Sequence, residues 1–185
     1  VVGLRGLLAG SFFAVDSFVP LTLSHLHHYG PTLAGVPLMV GALGWSAGSW
    51  WQGHRSQEHR DRLIRIGFVL IFVAATVMST LTISGVPGWI AYPAWVLGGT
   101  GMGLVMPVLS LALLDLSPAE ERGKNSAALQ IADAISSAVT VGIGGVLVAA
   151  ATHDLLALHS AIGIFDVAMA GTALAGAVMA GRARG

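Results

Sequence analysis

GGTGMGLVMPVLSLALLDLSPAEERGKNSAALQIADAISSAVT, residues 98–140, joins two long apolar runs through a short charged turn. Gly99 and Gly103 stand at small-xxx-small spacing with Pro107 one turn later, a pattern that lets a neighbouring backbone come close and then bends the helix. Asp115, Glu120, Glu121, Arg122 and Lys124 crowd the turn, so it must lie in water. The second run keeps Ser126, Gln130, Asp133, Ser137 and Thr140, spaced four, three, four and three, which sets all five on one helical face. A polar stripe on an otherwise apolar helix implies that this face meets something other than hydrocarbon.

The flanking chain has the same character. Of 185 residues, 55% are hydrophobic and 10% charged, with a mean hydropathy of +0.78; soluble domains carry about 25% charged residues. No cysteine is present, which removes disulfides, thiolate metal sites and thiol nucleophiles. The nine basic residues confined to loops and helix ends argue against a nucleic-acid surface. The chain opens on Val1-Val2 and enters an apolar run without a charged leader or cleavage site, so it reads as a piece of something longer.

Six apolar spans account for the whole length, at roughly 4–25, 32–53, 64–84, 88–114, 126–151 and 156–181, each near the ~20 residues that cross a bilayer. The expected fold is all-α: one polytopic membrane domain over 1–185, a bundle of six transmembrane helices. Arg5 opens the first span, Arg55, Arg60, Arg62 and Arg65 fill the second connection, Arg122 and Lys124 the fourth, and Arg182 and Arg184 the tail. That alternation puts all nine basic residues on one side and, by the positive-inside rule, both chain ends in the cytoplasm of a cell membrane. The opposite connections carry His27, His28, His153 and Asp154, and Trp89, Tyr92 and Trp95 are placed as an outer aromatic belt.

Small residues recur every four positions in five of the six spans, including Gly44 and Gly48, Gly99 and Gly103, and Ala138 and Gly142; the third span lacks such a stripe and is expected at the periphery. Gly142 and Gly145 belong to the run Gly142-Ile143-Gly144-Gly145 and are read with Gly44, Gly48, Gly99, Gly103 and Pro107 as helix-packing positions. Three acids fall inside apolar spans, Asp16, Asp133 and Asp166, none with a base on its own helix at membrane depth. Such an acid is neutralised by a proton or faces a polar cavity, so each marks a proton-handling or cargo-facing position. No phosphate-binding loop, metalloprotease motif or serine-nucleophile motif is present, and His25, His27 and His28 lack a nearby carboxylate for metal binding. Neither an enzyme, a catalytic residue, a metal nor a cofactor is expected.

Taken together, the six spans, the glycine-rich fourth span running into GLVMPVLSLALLDLSPAEERGKNSAALQ and the fifth-span run from Gly142 resemble the second half of a major facilitator superfamily transporter. Leu4-Arg5-Gly6 to Pro20-Leu21, His28-Tyr29-Gly30-Pro31-Thr32 and Gly44-Trp45 resemble its proton-coupled multidrug-exporter branches. The family's loop signature would start at Gly48, but Gln52 and Gly53 occupy its Asp and first Arg positions. The resemblance implies efflux of small molecules by a proton antiporter, alternating access, and a partner half of six helices preceding this one. With a transporter in view, the acids inside the spans, Asp16 and Asp166, are read as proton-coupling residues, and the polar stripe of Ser126, Gln130, Asp133, Ser137 and Thr140 as the wall of the substrate pathway. The rival reading is a non-transporting six-helix membrane scaffold, or a module that only homo-oligomerises.

Overall fold

The computed structural model describes residues 1–54, 60–153 and 156–182; Arg55, Asp154 and Arg184 lie outside them. Six long helices run the length of the chain: α1 (Val2–Leu26), α2 (Pro31–Gly53), α3 (Arg60–Thr80), α4 (Ala91–Leu116), α5 (Arg122–Thr152) and α6 (Leu158–Arg182). Short 3-10 turns, Gly88–Ile90 and Ala119–Glu121, lead into α4 and α5. Pro31 opens α2, where its missing N–H and fixed φ are harmless, and Gly85 at φ +90° turns the chain after α3.

Five of these segments are long and apolar enough to cross a membrane. The exception is α2, which has the length but dilutes its hydropathy with Trp45, Trp50, Trp51, Ser46, Ser49, Gln52 and repeated glycines. The third helix departs from its expected 64–84 bounds. Arg60, Asp61 and Arg62 join its first turn, and the chain leaves the helix at Thr80.

Packing puts α4 at the centre. It meets α2 and α3 along their lengths; α1 packs on α5 and α6, and α3 on α6. Exchanging the first three helices for the last three maps α1 with α5 onto α4 with α2, and α1 with α6 onto α4 with α3, so the two halves of the bundle share one pattern of neighbours. The core follows: Leu8, Phe12, Val15 and Val19 of α1, Phe68 and Ile71 of α3, and Trp95, Met102, Val105 and Leu109 of α4 are all buried. By contrast α5 buries only Leu129 and Gly144.

The α2–α4 contact is backbone to backbone. Gly99 nests against Gly41, Gly103 against the Trp45 carbonyl and Gly44 against the Val96 carbonyl, while a methyl at Gly48 would sit 2.5 Å from the Thr100 carbonyl oxygen. Proline then opens each helix toward the other. Pro37 has no N–H for the Leu33 carbonyl, which accepts instead from the Tyr92 hydroxyl at 3.3 Å; Pro107 leaves the Gly103 carbonyl, which accepts from the Ser49 hydroxyl at 3.3 Å. Each helix thus satisfies the carbonyl that the other's proline frees.

Two packing expectations need correction. Rather than peripheral, α3 is wedged between α4 and α6, with Gly67 facing the Gly101 carbonyl at a distance only glycine allows, 2.7 Å for an added methyl. On α5, Gly142 and Gly145 face open space, and Gly144 between them takes the close contact, against Phe18 and Phe165. The face is decided by the 100° step of the helix, which a run of three glycines in four positions leaves ambiguous.

Candidate functional site

Arg5 is the first surprise of the interior. Expected at the cytoplasmic end of the first span, it is the fourth residue of α1, yet it is only 8% exposed and bridges three helices. Its Nε donates to both carboxylate oxygens of Asp133 on α5, at 2.8 and 2.9 Å. Its Nη1 donates to the Met106 carbonyl at 2.9 Å and the Ser110 hydroxyl at 3.1 Å on α4. Ser110 stands six residues before the end of α4, roughly 9 Å along the axis. Asp133 therefore has a base after all, supplied by another helix.

The rest of the α5 stripe divides. Thr140 turns to α1, its hydroxyl within reach of the Gly10 carbonyl at 3.2 Å and the Ser136 carbonyl at 2.7 Å. Ser126 and Ser137 are half-buried and Gln130 is exposed. Ser136, which lies off the expected stripe, meets Gly6 so closely that a methyl there would be 2.7 Å from its hydroxyl oxygen. Between α1 and α5 runs a cleft of about 560 Å³, floored by Gly3, Gly6 and Gly10 and walled by Ala132, Ser136 and Val139. The lining has no charged residue.

Asp16, the fifteenth residue of the 25 in α1, is half-buried where α1 meets α2 and α4. Its Oδ1 accepts the indole N–H of Trp95 at 2.7 Å. Trp95 was expected in an interfacial belt, yet it is 2% exposed and stacks on Phe12, ring centroids 5.1 Å apart and planes within 15°. Phe13 and Trp45 complete the cluster: Phe12 meets their rings edge-on at 5.5 and 5.9 Å, and they lie 6.1 Å from each other. Asp16 is thus an acid among aromatic rings with a neutral donor as partner.

Asp166 stands apart on the buried face of α6, with Ile162, Phe165, Met169 and Ala173. It is 2% exposed, and its Oδ1 has no hydrogen-bond partner among the described residues. The two acids assigned to proton coupling are not brought together: a donor from α4 meets Asp16, while Asp166 is buried on α6 without a partner at Oδ1 among the described residues. Hydrophobic patterning located Asp16 and Asp133, but nothing local marked Trp95 or Arg5 as their partners.

Residues 3–141 match the family model of the Major Facilitator Superfamily. The chain belongs to the Major Facilitator Superfamily. Its fold is similar to the inward-open structure of the xylose transporter XylE from E. coli, with a TM-score of 0.76 and 19% identity. That likeness covers 97% of this chain and 45% of XylE, so the chain spans less than half of that transporter's length. No curated protein matches it. The member described here is a multi-pass, all-α membrane protein of a transporter family, not an enzyme.

Proposed function

We propose that this chain is the second six-helix half of a secondary transporter that exports small molecules in exchange for protons. Asp16 carries the reading. An acid in the middle of a membrane helix with no counter-charge is by default a proton or substrate site, and this one sits where three helices meet. Its partner Trp95 is neutral, and Arg5, the buried base among the described residues, is committed to Asp133. Asp166, unpartnered at Oδ1, is retained as a second proton-handling residue.

Family membership supports a carrier that works by alternating access, with the pathway between two halves near the membrane midplane. The missing half would precede this one and cover the exposed apolar face of α5, where Ile131, Ile135, Val139, Ile143 and Val146 are 51–70% exposed. In this reading α1, α2, α4 and α5 line the pathway, Gln130 and Ser137 lie on its wall, and both chain ends are cytoplasmic. The resemblance of the first two helices to multidrug exporters supports outward transport over uptake.

Asp16→Asn tests the assignment, because an amide keeps the shape and cannot exchange a proton. In inverted vesicles holding the full-length transporter, transport driven by a pH gradient should be lost, while cargo exchange at equal pH is partly kept. Full gradient-driven transport by this variant removes Asp16 from the mechanism. A scaffold that does not transport would show neither activity in the parent protein.

A further inference from the structure

Trp95 of α4 is held by residues of both α1 and α2. Its ring lies on Phe12, and Gly41 of α2 leaves the slot that admits its edge: a methyl at Gly41 would stand 2.7 Å from the Trp95 Cδ1. The same indole points its single donor at Asp16 Oδ1. Indole nitrogen donates and cannot accept, so this contact has one polarity whatever the state of the acid. Asp16 Oδ2 takes no hydrogen bond among the described residues and is the atom open to a proton.

We propose that Trp95 is the positioning residue for Asp16, and that it relays the charge state of this carboxyl from α1 to the α2–α4 pair. The proposal rests on the reading of Asp16 as proton carrier. A carboxylate accepts a short, charge-assisted bond from the indole; once Oδ2 has taken a proton from hydronium, releasing water, the neutral acid accepts a weaker one. The ring that this bond holds is wedged between Phe12 and Gly41, and α2 and α4 meet backbone to backbone at that same Gly41, against Gly99 one turn on from Trp95. A change at Asp16 therefore reaches both helices through one side chain.

Little else in the surroundings can impose charge on this site. Among its described residues α2 has no titratable side chain, and α4 has Tyr92, one turn before Trp95, and Asp115 at its far end. Of the other helices packed on α1, α3 keeps Arg60, Asp61, Arg62 and Arg65 at its start, and α5 has Arg122, Lys124 and the paired Asp133. On α6 stand exposed His159 and buried Asp166.

The test separates the hydrogen bond from the ring. Replacing Trp95 with β-(3-benzothienyl)alanine in the full-length transporter keeps the fused ring and its stacking but has sulfur in place of N–H; Trp95→Phe is the genetically encoded companion. The infrared band of the Asp16 carboxylic acid, identified by its loss in Asp16→Asn, should shift in the isostere. Gradient-driven transport should fall by about tenfold, the scale of one hydrogen bond to a charged group, while exchange at equal pH is kept. An unshifted band with wild-type gradient-driven transport overturns the inference, as does an equal loss of both transport modes, which would make the ring a packing element only. Gradient-driven transport kept by the isostere but lost in Asp16→Asn overturns this inference alone; kept in Asp16→Asn, it overturns the underlying reading as well.

Discussion

Arg5 and Asp133 show what a charged side chain does when it is placed inside an apolar bundle. Each would be intolerable alone, and together they make a neutral unit with the Met106 carbonyl and the Ser110 hydroxyl absorbing further donors. Removing one partner strands the other, at about 3–5 kcal/mol. Arg5→Gln and Asp133→Asn should therefore each lower the thermal stability of the detergent-solubilised protein, whereas the Arg5→Met/Asp133→Leu double variant should recover most of the loss. Singles as stable as the parent would mean that the pair is open to water. The anomaly of an acid inside an apolar run was legible at Asp133. The partner was not: it lies 128 residues away, and periodicity records which face a residue occupies, not what comes to meet it. Trp95 was hidden for the same reason, since an aromatic residue near a helix end looks alike whether it faces headgroups or an acid on the next helix.

Among the elements, the α2–α4 pair is the part whose sequence and structure correspond most directly. Glycines at four-residue spacing on both helices forecast close approach, and Gly44, Gly48, Gly99 and Gly103 all lie in that contact. What spacing could not tell is which stripes find a partner, since Gly142 and Gly145 share the chemistry and face open space. Here the difference is measurable. Gly99→Val forces a branched side chain into the Gly41 backbone and should destabilise the bundle by about 1–3 kcal/mol or more in a denaturant titration. Gly142→Val, with no atom within 4 Å of the added carbon, should leave the titration midpoint of the isolated chain where it is. Equal effects would show that helix propensity, not the interface, sets the response. The boundaries of α3 were misread because Arg60 to Arg65 look like loop by composition, although charged residues at a helix end are stable where that end reaches water.

At the scale of the whole molecule, the order and packing of the six helices fix which helix ends share a side, and that geometry bears on orientation. Arg60, Arg62 and Arg65 at the start of α3, Arg122 and Lys124 at the start of α5 and Arg182 at the end of α6 all fall at one end of the bundle. Burial of Arg5 subtracts one charge from that count without changing its sign, because a base neutralised by Asp133 has little pull on topology. The remaining bias favours a cytoplasmic position for that end. The longest helix offers a ruler for the test: α5 has 31 residues, about 45 Å at 1.5 Å each, more than the roughly 30 Å of hydrocarbon. Exposed Lys124 near its start and exposed His153 just past its end should therefore stand in water on opposite sides. The chain has no cysteine, so Lys124→Cys and His153→Cys each create a single reactive thiol. An impermeant maleimide added to intact cells should label position 153 and spare 124, and opening the cells should make 124 reactive. Labelling of 124 from outside would invert the orientation and move the exit of the pathway to the other face, whereas labelling of both from outside would break the six-crossing topology itself.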